Sequence, residues 1–122
     1  MAEKDIRLAE AESRFAELVW QKEPVSSGDL VLLCEKELNW KKSTTYTVLR
    51  RLCQKGILKN EGAVVTSVIK KGEYMARRSE QIVEDAFEGS LPQFVAAFMS
   101  RKKLSRKQID EIQKLIDEYK GS

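Results

Sequence analysis

The sequence has no histidine among its 122 residues, and it has only two prolines and two cysteines. The absence of histidine excludes general acid-base catalysis by imidazole and most kinds of zinc site. The sequence also has neither a GxSxG nucleophile motif nor a glycine-rich phosphate loop. We therefore expect a protein that is not an enzyme and that needs no cofactor and no metal.

The two cysteines and the lack of long apolar runs narrow the class of protein further. Cys34 and Cys53 occur among apolar positions of predicted helices and form no CxxC pair, which is typical of small buried side chains rather than of redox or metal sites. No apolar run approaches the roughly 20 residues of a membrane helix, and no basic-then-apolar leader precedes a small-residue cleavage site. With 34% charged and 42% hydrophobic residues, the composition predicts a globular, cytoplasmic protein.

The clearest functional pattern lies between Trp40 and Leu58. At a helical repeat, Val48, Leu49 and Leu52 share one apolar side. The other side carries short polar, amide and guanidinium side chains, namely Ser43, Thr44, Thr47, Arg50, Arg51 and Gln54. These groups suit hydrogen bonding to phosphates and base edges. The pattern favours a helix that reads DNA, and a solvated helix face without a ligand is the alternative.

The distribution of charge agrees with a DNA-binding segment. Residues 40–71 contain eight basic side chains and one acidic side chain, whereas residues 72–99 contain two basic and five acidic side chains. The net charge of the whole chain is only +3. Such asymmetry predicts that the first segment faces a polyanion and that the second does not.

The order of the predicted elements indicates a winged helix. A first helix covers about residues 9–21 and is ended by Pro24, and a capping box of Ser26 and Asp29 begins a second helix that runs to about Leu38. The third helix is the one described above, and it ends at Gly56. Strands at 57–59 and 63–69 then flank a turn at 60–62. The fold class is therefore mostly α with a small β-hairpin wing, and residues 1–71 form a DNA-binding domain.

Three amphipathic helices follow in residues 72–122. The first covers about residues 73–87, the second follows Gly89, and a capping box of Ser105 and Gln108 begins the last. About 50 residues cannot bury three apolar faces well, so a second copy of the chain is the expected partner. The alternative is that this tail folds back on its own winged helix. The predicted dimer interface is Ile82, Phe87, Leu91, Phe94, Val95, Phe98, Ile112 and Ile116.

An ordered set of residues resembles the penicillinase and methicillin-resistance repressors. The matching positions are Ala11-Glu12 and Trp20, then Trp40, Thr44, Thr47, Arg51, Leu52 and Lys55-Gly56, then Gly89-Ser90-Leu91 and Phe98. The resemblance implies a homodimeric winged-helix repressor on an inverted-repeat DNA operator, with dimerisation through the C-terminal helices. It also implies a membrane sensor as a partner, with release by proteolysis in the dimerisation region.

Several positions depart from the family pattern. Lys41-Lys42 replace a helix-capping Ser-Pro, so Ser43 is the expected cap of a slightly later helix start. The wing has Ala63 and Ser67 in place of the usual Arg and Tyr. The family's scissile Asn-Phe aligns with Ala97-Phe98, which makes this bond the candidate cleavage site. The cysteine-rich motif of the copper-responsive branch is absent.

The sequence thus predicts a DNA-binding transcriptional repressor. The expected DNA contacts are made by Lys42, Ser43, Thr44, Thr47, Arg50 and Arg51. The alternative function is a winged helix that binds another protein without sequence-specific DNA binding. Its binding face would be depleted in lysine, and the charge of residues 40–71 argues against it.

Overall fold

A computed structural model describes residues 6–121, which form six helices and three short strands. The helices are α1 (Glu10–Lys22), α2 (Ser27–Leu38), α3 (Lys42–Gln54), α4 (Lys71–Phe87), α5 (Leu91–Arg101) and α6 (Arg106–Lys120), and the strands are β1 (Val25–Ser26), β2 (Leu58–Glu61) and β3 (Val64–Ser67). The predicted class, mostly α with a small β-wing, is confirmed. The chain divides into two compact units, one up to Ser79 and one from Glu80. The expected functional boundary between residues 71 and 72 stays a prediction.

The first unit is built around an apolar core between α1, α2, α3 and the sheet. Each element contributes at helical or strand spacing, because the side that faces the core repeats every three or four residues in a helix. The fully buried side chains of this core include Phe15, Val19, Leu30, Cys34, Leu52, Ile57 and Val65. Burying each large apolar side chain contributes about 1.5–3 kcal/mol, so this core is sufficient to hold α3 in place.

The turn between α2 and α3 has a defined hydrogen-bonded structure. Ser26 caps α2, because its hydroxyl accepts the Asp29 N–H at 3.0 Å. At the other end Asn39 adopts a left-handed conformation with φ +57°, and the Trp40 N–H donates to the Cys34 carbonyl at 3.2 Å. The left-handed Asn39 also donates its N–H to the Glu35 carbonyl at 3.2 Å, which is the bond typical of an αL helix cap. Three residues, 39–41, connect α2 to α3, so the two helices form a helix-turn-helix.

The start of α3 differs from the sequence expectation. Lys41 occupies the cap position and makes no side-chain cap hydrogen bond, so the expectation that Ser43 caps the helix is wrong. Ser43 is instead in the first turn, and its carbonyl accepts the Thr47 hydroxyl at 2.9 Å. The helix needs no cap at Ser43 because its buried apolar side, rather than its N-terminus, holds it in register.

The wing is a three-stranded antiparallel sheet in the order β1-β3-β2. The two residues of β1 pair with Val64 and Val65, and this strand is not evident from the sequence. Glu61 pairs with Val64, so the turn consists of Gly62 and Ala63 rather than residues 60–62. Both turn residues have positive φ, +57° and +62°, as in the type I′ turn that matches the twist of a two-residue hairpin.

The second unit contains well-capped helices and no buried side chain. Ser90 accepts the Gln93 N–H at 3.2 Å, and Ser105 and Gln108 form the predicted reciprocal capping box. The Phe87 and Phe94 rings meet edge to face at 5.6 Å. Every described residue from Glu80 onward nevertheless remains exposed or half-buried. Within residues 6–121, no helix is both long and apolar enough to cross a bilayer.

Candidate nucleic-acid interface

Helix α3 is fixed in the first unit by one apolar side. Val48, Leu49 and Leu52 are buried, which confirms the periodicity inferred from the sequence. At the N-terminal end the Trp40 ring stacks on Phe15 with the two ring centroids 6.0 Å apart and the planes within 12°. These contacts determine which side of α3 faces solvent.

The solvent face of α3 carries the six residues that the sequence proposes for DNA contact. Lys42, Ser43, Thr44, Thr47, Arg50 and Arg51 all lie on this helix, and all six are exposed. The face contains two guanidinium groups, one ammonium group and three hydroxyls, and it contains no carboxylate. This arrangement presents donors to an anionic surface over more than two helical turns. The contacts themselves stay a prediction.

Ion pairs reduce the positive charge that the sequence assigns to residues 40–71. Three of the eight cations bind carboxylates of α1 or of the residue that follows it. The pairs are Lys55–Glu12 at 2.9 Å, Lys70–Glu23 at 3.0 Å and Lys71–Glu17 at 2.8 Å. A fourth cation, Lys59, lies 3.7 Å from Glu61. The positive charge available to a polyanion is therefore concentrated on α3 and the residue before it, in Lys41, Lys42, Arg50 and Arg51.

Glu12 forms the most buried of these pairs and is a residue that the sequence analysis did not single out as functional. Only 6% of Glu12 is exposed, and its Oε1 accepts both the Ala9 N–H at 2.9 Å and the Lys55 Nζ at 2.9 Å. Lys55 also donates to the Arg7 carbonyl at 3.0 Å. The pair therefore attaches the start of α1 to the residue that ends α3.

The charge on Glu12 is stabilised by its surroundings. Burial by itself would raise the pKa of this carboxyl. The hydrogen bonds from Ala9 and Lys55 and the positive charges of Lys55 and Arg51 outweigh burial, so the pKa lies below its ordinary value. Glu12 therefore stays ionised at neutral pH and lies in the electrostatic field of Arg51, the strongest candidate for DNA contact.

A second carboxylate holds the base of the wing. Glu23 accepts the backbone N–H of Ser67 at 2.9 Å, the Ser67 hydroxyl at 2.7 Å and the Lys70 ammonium at 3.0 Å. Burial would raise the pKa of Glu23, but these hydrogen bonds and the charge of Lys70 lower it overall. The Trp20 indole donates to the Ile69 carbonyl at 3.0 Å and adds a neutral link beside the ionic one. These contacts fix the strand that carries the wing to α1.

An open cleft of about 540 Å³ lies between α3 and the wing. Its lining consists of Tyr46, Leu49, Arg50, Cys53, Leu58, Lys59, Asn60 and Glu61. Cys53 is half-buried and Cys34 is buried, and burial raises the pKa of both thiols. Both cysteines therefore pack as small apolar groups with little thiolate, as the sequence predicts.

The eight residues proposed for a dimer interface lie on α4, α5 and α6. Phe87 and Phe94 are half-buried against each other, and Ile82, Leu91, Val95, Phe98, Ile112 and Ile116 are exposed. An apolar cleft of about 400 Å³ opens between α5 and α6, and Met99 and Leu115 also line it. Neither of these two residues is in the proposed set. The structure thus leaves large apolar surfaces uncovered on this unit, and their role as an interface stays a prediction.

The candidate cleavage bond lies inside a helix. Ala97 and Phe98 are both exposed and occupy the seventh and eighth positions of α5. The Ala97 carbonyl accepts the Ser100 hydroxyl at 2.6 Å. A protease that binds extended substrates would therefore have to unwind this turn, and no buried residue of α5 resists the unwinding.

Comparison with known proteins finds relatives that match most of the chain. The chain is 25% identical to the penicillinase repressor of Bacillus licheniformis over 94% of this chain and 93% of that protein. It is 21% identical to the methicillin resistance regulatory protein MecI of Staphylococcus aureus over 96% of this chain and 98% of that protein. A solved structure of a MarR family protein of Mycobacterium tuberculosis is similar over 94% of this chain and 76% of that one, with 23% identity and a TM-score of 0.46. Residues 8–118 match the sequence profile of the penicillinase repressor family, and the chain belongs to that family.

Proposed function

We propose that the protein is a homodimeric transcriptional repressor that binds an inverted-repeat operator in double-stranded DNA. Helix α3 of each protomer enters the major groove, and the protein turns over no substrate. The observation that carries the proposal is the solvent face of α3. It has six exposed polar or cationic side chains and no carboxylate, on the second helix of a helix-turn-helix. The family to which the chain belongs supports this function.

Roles on this face follow from side-chain chemistry. Thr44, Thr47 and Arg51 make base and phosphate contacts, and Arg51 contributes most because its guanidinium can bind guanine or phosphate with two hydrogen bonds. Lys42, Ser43 and Arg50 bind phosphates and set the position of the helix on the duplex. The Thr47 hydroxyl already donates to the Ser43 carbonyl, so it faces DNA as an acceptor.

Dimerisation follows from the uncovered apolar surfaces of α4, α5 and α6. Six of the eight proposed interface residues are exposed within one protomer, where each would contact water. Monomeric proteins rarely expose apolar surface of this extent, and a self-complementary pairing would remove it from water. The two linked DNA-binding domains then bind two half-sites with a higher affinity than either domain has alone.

Release of DNA follows when the dimer is lost. Cutting or displacing α5 removes Phe94, Val95 and Phe98 from the interface, and each protomer is left with one half-site. The proposed trigger is a membrane sensor linked to a protease, acting at Ala97-Phe98. Mass mapping of fragments from induced cells that also express the sensor would test this step. An intact chain under full derepression would exclude proteolysis as the signal.

The central test selects binding sites from random duplexes with the full-length protein. The expected product is a two-fold symmetric sequence whose half-site centres are about 10 base pairs, or a multiple of that, apart. Sedimentation at micromolar concentration is expected to give a dimer. Selection that enriches no symmetric sequence would refute operator binding. A monomer whose C-terminal helices remain folded would refute dimerisation, and each result stands independently of the other.

A further inference from the structure

The connection between α5 and α6 carries a cluster of positive charge that the proposed function does not use. We refer to residues 101–107 as the basic turn. It contains Arg101, Lys102, Lys103, Arg106 and Lys107 and no acidic residue. All five cationic side chains are exposed, and none forms an ion pair with any residue in the part of the chain that the structure describes. This contrasts with the lysines of the first unit that bind α1.

The basic turn is segregated from the other charges of its unit. Outside it, residues 80–122 contain eight acidic side chains and only two basic ones, Lys114 and Lys120. Lys114 lies within 4.0 Å of Glu118, one turn along α6. A surface selected only for solubility mixes both signs, so five cations within seven residues create a local positive potential that the rest of the unit does not share.

Placement at a helix start strengthens this potential. Arg106 and Lys107 occupy the first turn of α6, and this turn contains no acidic residue. The N-terminus of a helix is its positive end, and cations there reduce helix stability. The local structure therefore carries an electrostatic cost that an anionic partner would remove.

We propose that the basic turn is a second surface for the phosphate backbone of duplex DNA, separate from α3. This inference rests on the proposed function, because DNA is the polyanion that the first unit is proposed to bind. Arginine, lysine and serine side chains are the usual donors to phosphate oxygens, and the basic turn contains all three types. Its contacts are independent of base sequence and add to the affinity for any duplex.

DNA fits the basic turn better than a protein or a lipid surface. Three of the five cations are lysines, which protein interfaces avoid. A lipid surface would need exposed apolar side chains beside the charges to insert between lipids. Within the turn the single apolar residue, Leu104, is half-buried. Of the exposed apolar residues that precede the turn, Phe98 belongs to the proposed dimer interface and Met99 lines the cleft between α5 and α6.

A pair of charge-matched variants of the full-length protein tests the proposal. Lys102→Gln with Lys103→Gln removes two charges from the basic turn, and Lys114→Gln with Lys120→Gln removes two charges from the same unit outside it. The measurement is the dependence of DNA affinity on salt concentration, for a selected operator and for a random duplex of equal length. Each lost phosphate contact lowers the slope of log K against log salt by about 0.9.

The first variant is expected to lower this slope by about one to two units per protomer on both duplexes, and the second to leave it unchanged. Equal slopes for the two variants would overturn the proposal. The proposal would also be overturned if the first variant showed no defect except weaker dimerisation in sedimentation. A first variant with unchanged DNA slopes and weaker binding to phosphatidylglycerol vesicles would overturn it as well. If the wild-type protein binds no DNA at all, the proposed function itself fails, which is a different result from equal slopes.

Discussion

Replacing Glu12 with glutamine should destabilise the first unit by an amount that depends on pH. The substitution keeps the shape of the side chain and removes its charge. Glu12 accepts one hydrogen bond from the Ala9 N–H and one from the Lys55 ammonium, both at 2.9 Å. Hydrogen bonds to charged groups contribute about 1.5–3 kcal/mol, against about 0.5–1.5 kcal/mol for neutral ones. A neutral amide oxygen therefore loses about 1 kcal/mol per bond, or about 2 kcal/mol in total.

The sign of the pH dependence follows from the pKa of Glu12. Its pKa in the folded protein is lowered, so the ionised carboxylate stabilises the fold fully above the unfolded pKa of about 4.3. This contribution is lost as the pH falls through the lower folded pKa. The difference in the free energy of unfolding between wild type and Glu12→Gln should thus be constant near neutrality. It should shrink once the pH drops below about 4.

Urea unfolding followed by tryptophan fluorescence measures this difference, because Trp20 and Trp40 both lie in the first unit. A loss of 2 kcal/mol lowers the urea midpoint by about 1 M, at an equal protomer concentration. Glu10→Gln is the matched control, since Glu10 is an exposed carboxylate in the first turn of the same helix. Equal losses for the two variants, or a difference that persists unchanged at pH 3, would refute the role assigned to the buried ion pair.

Three further predictions follow from other parts of the molecule. Ala63→Gly should stabilise the protein by about 0.5–1 kcal/mol in the urea-unfolding assay, because Ala63 has φ +62° and only glycine adopts this conformation without strain. A destabilised variant would contradict the turn geometry. Arg51→Ala should weaken operator binding by about 1–3 kcal/mol while Lys42→Ala weakens all duplexes alike, and gel shifts on operator and random DNA distinguish the two losses. Phe98→Ala should weaken the dimer by about 2 kcal/mol, which raises the dissociation constant measured by sedimentation roughly thirty-fold. An unchanged dissociation constant would show that Phe98 is not part of the interface.

The sequence predicts α3 well because the two sides of this helix differ in chemistry at a helical repeat. Val48, Leu49 and Leu52 are buried, and Thr44, Arg51 and the other polar residues of the repeat are exposed. The order of three helices and a hairpin is likewise readable from breakers such as Pro24 and Gly56. Local signals of this kind are strong where each residue type agrees with its position.

The details that the sequence does not predict depend on partners distant in the chain. Strand β1 has only two residues and exists because it pairs with Val64 and Val65. The hairpin turn lies at Gly62-Ala63 because pairing of Glu61 with Val64 sets its register, although alanine is an unfavourable residue there. No local pattern reports either pairing, so the predicted turn was displaced toward Asn60.

The charge available to DNA also depends on partners distant in the chain, and here the difference between prediction and structure affects the proposed function. The count of eight basic residues in 40–71 treats every lysine as available to DNA, yet Lys55, Lys70 and Lys71 bind carboxylates 43 to 54 residues earlier in the chain. A signal that could have revealed one pair is Glu12 itself, an acidic residue in the first turn of α1 at the spacing where it can accept the Ala9 N–H. Its second partner, Lys55, is set only by the packing of α1 on α3.

The residues that hold α3 in place lie in a different unit from the residues proposed to form the dimer interface. Helix α3 is positioned by a core that includes Phe15, Leu30 and Leu52 and lies within the first unit. The second unit buries no side chain among the described residues, and in the proposed dimer the partner copy removes its exposed apolar side chains from water. In the proposed mechanism, a signal that displaces α5 acts on the linkage of the two protomers and leaves the solvent face of α3 intact. Under the proposed function, control of DNA binding thus requires no change in the solvent face of α3.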